Sequence, residues 1–269
     1  TLTAIASVFI MIVGPLTVPP LLKLLNTPES IFYWCRDYLD ILFIGVAGLA
    51  YYNILSGILR GLGDSVSALV YLLVATVLNI VLDVVFVASF HMGVAGVALA
   101  TAIAQAVSAV LCMWKLMHMK DIFELHAKDF IPTGRHTLDM VRLGLPSGAT
   151  QAIFSMAMIV VQSLTNSFGE AFIAANVIVM RVDGFAMMPN FSFGTALTTY
   201  AGQNVGAKKY DRVKKGAMFA IPCAVLLAEF VGICIYVLSP VLISAFNSDP
   251  AVVAYGVAQA RTVTLFYFL

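Results

Sequence analysis

Asn79-Ile-Val-Leu-Asp83 is the stretch that decides how this chain of 269 residues must fold. An Asn and an Asp four residues apart share one face of a helix, and here they lie inside an apolar run, Val66 to Phe90, that carries no other charge. A carboxylate in hydrocarbon is costly, and such residues turn to a bundle interior where they mark ion or substrate pathways. The run ends at the turn His91-Met92-Gly93, and a second run rich in small residues follows from Gly93 to Met117. Packed as an antiparallel pair about Met92, the two runs place Asp83 nine residues before the turn and Thr101 nine after it. At about 1.5 Å per residue that is a depth of roughly 13 Å, near the middle of a hydrocarbon layer about 30 Å thick. The expectation is a cluster of Asn79, Asp83 and Thr101 at mid-membrane.

The composition agrees. Hydrophobic residues make up 61% of the chain and charged residues 11%, against roughly 45 to 50% and about 25% in soluble domains. Apolar segments recur at about 2 to 25, 38 to 59, 66 to 90, 93 to 117, 143 to 168, 171 to 201, 216 to 246 and 251 to 269. Helix is the only sensible state for such lengths in lipid, so the expected fold class is all-α, a polytopic transmembrane helical bundle. A net charge of +1 gives no case for nucleic acid. Cys35, Cys112, Cys223 and Cys234 have neither zinc-type spacing nor the density of a disulfide scaffold. The chain opens on Thr1 and stops inside an apolar run at Leu269, which reads as an internal part of something longer.

Lys and Arg set the orientation. With the polar stretch 118 to 142 on the cytoplasmic side, the inside set holds Arg60, Lys115, Lys120, Lys128, Arg135, Arg142 and the run Lys208 to Lys215, while only Lys23 and Arg36 fall outside. That stretch, broken at Pro132-Thr133-Gly134, divides the chain into a lobe over 1–117, a cytoplasmic linker over 118–142 and a lobe over 143–269, with four segments in each lobe. Thr137 is expected to cap a short interfacial helix before Gly144-Leu-Pro146. Pro19-x6-Asn26-Thr27 recurs as Pro240-x6-Asn247-Ser248, an offset that also sets Asp40 opposite Arg261. Both segments run from inside to outside, so the lobes form parallel, pseudo-symmetric repeats.

Taken together, Arg60-Gly-Leu-Gly-Asp64, Asn79-x3-Asp83, Gly93-Val-Ala-Gly96-Val-Ala-Leu-Ala-Thr101, Gly144-Leu-Pro146 and Gly202-Gln-Asn-Val-Gly206-Ala-Lys-Lys-x-Asp-Arg212 resemble the multidrug and toxic compound extrusion (MATE) family of secondary transporters. The motifs occur in the family's order over nearly the whole chain. The resemblance implies twelve helices in two six-helix lobes, of which eight, helices three to ten, would lie here. It further implies a cation site in the N-terminal lobe at Asn79, Asp83 and Thr101, completed by an acid on the first helix that would precede Thr1. A second subgroup has an acid early in helix seven; the matching Gln151-Ala-Ile-Phe154 is neutral, which speaks against cation binding there. The form Gly144-Leu-Pro-Ser-Gly148 resembles bacterial members and implies the cytoplasmic membrane.

A proton or Na⁺ on Asp83 would change the charge of the site and bias the side its lobe faces; a purely structural Asp held by Asn79 is the competing reading. Gln151, Ser155, Gln162 and Asn166 draw a polar stripe along one segment, and Asn176, Met180, Asp183 and Met187 another. Two such stripes define a substrate cavity, expected at Gln151, Gln162, Asn166, Met180, Asp183 and Met187, with Met as an adaptable wall and Asp183 drawing cations. Polar contacts between helices explain the same stripes. Gly96, Ala100, Ala104 and Ser108 form a small-residue stripe suited to close packing. The stretch after Gly202 lacks a phosphate loop's spacing, and neither His-Glu-x-x-His nor Gly-x-Ser-x-Gly occurs, so an enzyme is not expected.

The reading is a monomeric, cation-coupled (H⁺ or Na⁺) antiporter that exports organic, cationic or amphipathic compounds by alternating access, in contact with membrane lipid and without a cofactor or a metal other than Na⁺ at Asp83. A flippase for lipid-linked saccharide precursors is the nearest alternative, and a non-transporting receptor or scaffold the next.

Overall fold

The computed structural model describes residues 2–24, 27–119 and 134–267, without the side chains of Arg135 and His136. Regular structure in these residues is helical. The chain separates into two compact units, Thr1–Val141 and Arg142–Leu269.

In the first unit α1 (Leu2–Leu24) is followed by α2 (Glu29–Ile44) and α3 (Val46–Gly61), then α4 (Ser65–Val84) and α5 (Gly93–His118). The apolar segment expected to run unbroken over 38–59 is a pair of helices, α2 and α3, bent by 45° at Gly45. The break has a packing cause. A Cβ on Gly45 would lie 2.5 Å from the Ala102 Cβ of α5, and one on Gly48 would lie 2.7 Å from the Ala106 backbone nitrogen. Two glycines therefore let the backbone of this broken span approach α5 closely. Helix α5 is the hub of the unit, packed by α2, α3 and α4. Its stripe Gly96, Ala100, Ala104 and Ser108 is buried, as the close-packing reading of those residues requires.

Helix α4 starts on Asp64, whose carboxylate accepts the Ser67 backbone N–H at 3.0 Å and the Ser67 hydroxyl at 2.7 Å. Lys115, near the end of α5, brings its Nζ within 3.5 Å of the same carboxylate. The cap thus ties the start of one helix to the end of the next. The Ser67 backbone N–H and then its hydroxyl hold the Asp64 carboxyl below the usual carboxylate range against the opposing effect of burial, with Lys115 adding to the lowering. Because the ionised form is favoured by folding, this stabilisation is fully present above the ordinary Asp range and is lost as pH falls from there through the lowered pKa of the folded state. Asp64→Ala should lower stability by about 1 kcal/mol at neutral pH. Thermal melts of variant and wild type should converge below about pH 4, whereas a gap that persists in acid would mean the cap does not act as a carboxylate.

Past Val84 the helix continues as one π-helical turn, Val85–Ser89, before His91 and Gly93 take positive φ in the turn. A π turn holds more residues per turn than an α turn, so the α4 arm spends extra residues covering the same depth. Across the turn it is Asn79, a helical turn before Asp83, that comes opposite Thr101.

The second unit holds α7 (Glu170–Gly206), α8 (Tyr210–Phe246) and α9 (Pro250–Thr264), packed on one another around Ala175, Val179, Ala186, Ala228, Ile243 and Ala260. Helix α6 (Gly134–Asn166) runs unbroken through Thr137 and Pro146, so Thr137 lies inside a helix and caps no separate one. Of the linker expected over 118–142, residues 120–133 lie outside the described residues. Among the described residues six helices are long and apolar enough to cross a membrane, or seven if the bent α2–α3 pair is one span. The segment expected over 251–269 forms the 15-residue helix α9 and a turn over 265–267, shorter than a full span.

Candidate functional site

The first unit brings together Asn79 and Thr101, the central pair of the expected site. Asn79 Nδ2 donates to Thr101 Oγ1 at 3.4 Å, and the Thr101 hydroxyl donates in turn to the Val97 carbonyl at 3.0 Å. The side chain of Asn79 is therefore held by α5 rather than by Asp83. Asp83 follows one turn along α4, with its Oδ1 buried and without a hydrogen-bond partner. A buried acceptor with no donor requires an explanation in a water molecule, an ion or a functional role, and a proton or a small hard cation satisfies such an oxygen.

One neighbour is missing from the sequence-derived set. Gln105, a turn beyond Thr101 on α5 and on the side of the Asn79–Thr101 contact away from Asp83, also buries an oxygen, Oε1, without a partner. The spacing Thr101-x3-Gln105 places the two on one helix face, which is the signal that could have found it.

The cavity residues sort differently. On α6 the stripe is exposed, and Gln162 Nε2 donates to Asn166 Oδ1 at 2.9 Å within the helix; Gln151 lies exposed on the same helix. On α7 the stripe turns to α9. Gln259 Nε2 donates to Asn176 Oδ1 at 2.7 Å, and the Asn176 amide reaches the Met180 sulfur at 3.5 Å. Two turns further along α7, the Tyr267 hydroxyl donates to Asp183 Oδ1. Met187 receives a weak contact from the Asn190 amide at 3.8 Å. The structure thus brings Asn176, Met180 and Asp183 into one seam against α9, and it does not bring the α6 stripe to them. Partners 83 and 84 residues away in sequence left no trace in local periodicity.

Beside this seam, Asn190, Phe193 and Leu197 of α7 and Ile221 and Val225 of α8 line an open cleft of about 330 Å³ that Tyr267 also borders. Asp40 and Arg261 each have a partner in their own unit. Arg36 Nε lies 3.4 Å from Asp40 Oδ2, and Arg261 donates to the Tyr236 carbonyl at 3.3 Å while its guanidinium sits 5.1 Å from that ring's centre. Glu229 on α8 buries Oε1 without a partner.

A sequence profile of the MatE family matches residues 1–85 and 146–269. The chain belongs to the MatE family. Among curated MatE relatives, the probable multidrug resistance protein YpnP of Bacillus subtilis is 32% identical over 92% of this chain and 55% of its own length. YoeA of the same organism, also described as a probable multidrug resistance protein, is 29% identical over the whole chain and 59% of its length. The chain therefore spans just over half the length of these relatives. Among solved structures, a MOP superfamily transporter from Pyrococcus furiosus superposes with a TM-score of 0.92 at 25% identity, covering 99% of this chain and 60% of that one. An outward-facing multidrug resistance MATE family transporter superposes with a TM-score of 0.91 over the same shares. These are transporters and not enzymes, in keeping with the all-α, membrane-spanning fold of two lobes.

Proposed function

We propose that the full-length protein is a secondary antiporter of the cytoplasmic membrane that exports organic, cationic or amphipathic compounds against an inward flow of H⁺ or Na⁺. The observation that carries this reading is the buried, unpartnered oxygen of Asp83 beside the Asn79–Thr101 pair. An ion there neutralises a charge inside the first unit, and a ligand shifts a conformational equilibrium only through its differential affinity for the two states. Asn79 and Thr101 orient the site through neutral groups. The multidrug resistance descriptions of YpnP and YoeA support the substrate class. The polar residues Gln151, Gln162 and Asn166 of α6, with Met180, Asp183 and Met187 of α7, remain the proposed substrate contacts. The linker is assigned to the cytoplasmic side, and the protein is taken to act as a monomer.

The test is flux. The full-length protein, reconstituted into liposomes, should move a fluorescent cationic dye when an H⁺ or a Na⁺ gradient is imposed, and the effective gradient names the ion. Dye that stays put under both gradients would sink the antiporter reading; transbilayer movement of a lipid-linked saccharide in the same vesicles would then establish the flippase.

A further inference from the structure

The second unit carries an ionisable pair that the coupling site in the first unit does not use. Asp183 lies on α7 inside a membrane-spanning segment, and its Oδ1 accepts the hydroxyl of Tyr267, at the end of α9. Tyr267 is held in place from two sides. It is 5% exposed, and on α8 the absence of a side chain at Gly232 makes room for it, since a Cβ there would lie 3.2 Å from the ring Cδ2. Tyr267 also borders the open cleft between α7 and α8.

The surrounding charges do not neutralise Asp183. Helices α8 and α9 pack on α7. From α9 come Arg261, whose guanidinium is taken up by the Tyr236 carbonyl and ring, along with Tyr255 and Tyr267 itself. Helix α8 supplies Glu229, Cys223, Cys234 and Tyr236; on α7, Arg181 lies two residues away on another face and is exposed. Among the described residues Asp183 forms no ion pair. One carboxylate and one phenol are too few oxygens to replace the hydration shell of a metal cation, but they suffice for a proton.

We infer that Asp183, paired with Tyr267, is a proton-binding site of the second unit, separate from Asp83. Binding adds H⁺ to the carboxylate to give the neutral acid, and Tyr267 keeps its own proton. Ionised Asp183 draws a charge-assisted hydrogen bond that ties α9 to α7. Protonation turns it into a weaker neutral bond, so the seam then depends on the Asn176–Gln259 bond and apolar packing. Proton occupancy therefore sets how firmly Tyr267 is held at the wall of the cleft. The site stands on its own geometry and needs the transport reading only for its consequence for flux.

Infrared difference spectroscopy on the full-length protein, titrated with acid in detergent, tests it. Wild type should show a protonated-carboxyl C=O band that Asp183→Asn loses and Asp83→Asn keeps. Tyr267→Phe should move that band to higher frequency, because the carbonyl loses its donor. An unchanged band in folded Asp183→Asn overturns the inference. Should that variant fail to fold, an unshifted band in Tyr267→Phe overturns it equally. Failure of the antiporter reading is recognised separately: the band would behave as stated while wild type moves no dye under either gradient.

Discussion

Replacing Asp83 by Asn is expected to cut gradient-driven dye efflux by the full-length protein about 5- to 150-fold, the span corresponding to a coupling free energy of ~1–3 kcal/mol. Asn preserves size and hydrogen-bonding capacity while removing the charge that a proton or Na⁺ would neutralise. Because Asp83 Oδ1 has no partner in the fold, the substitution breaks no hydrogen bond of that atom and should leave folding intact. The loss should therefore be specific: dye binding at equilibrium stays near wild type, and the response to the imposed gradient disappears. Efflux assays at matched reconstitution levels, run beside equilibrium dye binding, separate the two. Full coupled efflux by the variant would reduce Asp83 to a structural residue.

The second large effect is on stability. Gly48→Leu should prevent accumulation of folded protein, because even a Cβ at this position meets the Ala106 backbone nitrogen at 2.7 Å and its Cα at 3.0 Å. Backbone atoms in the middle of a packed helix cannot swing aside as a side chain can. Relief requires α3 and α5 to separate, which disturbs the cluster of Leu55, Leu59, Ala109 and Cys112 just below. Overpacking costs about 1–3 kcal/mol for small additions and more for large ones, out of a total stability of about 5–15 kcal/mol. Gly48→Ala should accordingly lower stability by about 1–3 kcal/mol. Gly57→Ala, on the same helix, is the control: its Cβ would find only the tip of Arg60 at 3.9 Å, and the gain in helix propensity of about 1 kcal/mol should show. Folded yield by size exclusion and thermal midpoints in detergent report both. A Gly48→Leu protein as stable as wild type would mean that α3 and α5 do not approach this closely.

The helices themselves and the Asn79, Asp83 and Thr101 neighbourhood were legible because they depend on local rules. A 25-residue apolar run has nowhere to satisfy its backbone in lipid except within itself, and residues four apart share a face whatever the rest of the chain does. The turn at His91-Met92-Gly93 then brings two adjacent helices together, so a contact across 22 residues could be anticipated from chain direction alone. Its register could not. Nothing in Val85-Phe-Val-Ala-Ser89 announces a π turn, and nothing local to either helix says that Asn79 rather than Asp83 reaches Thr101.

Chain order and periodicity alone therefore determined that this protein is a helical membrane bundle whose α4 carries Asn79 and Asp83 on one face. Tertiary structure alone decided the break at Gly45, the orphaned oxygens of Asp83 and Gln105, and the turning of Asn176 and Asp183 toward Gln259 and Tyr267. The physical reason is one of range. A helix period fixes which residues share a face, but which distant helix packs on that face depends on side-chain volumes and close approaches contributed by both, and these come together only once the chain has folded.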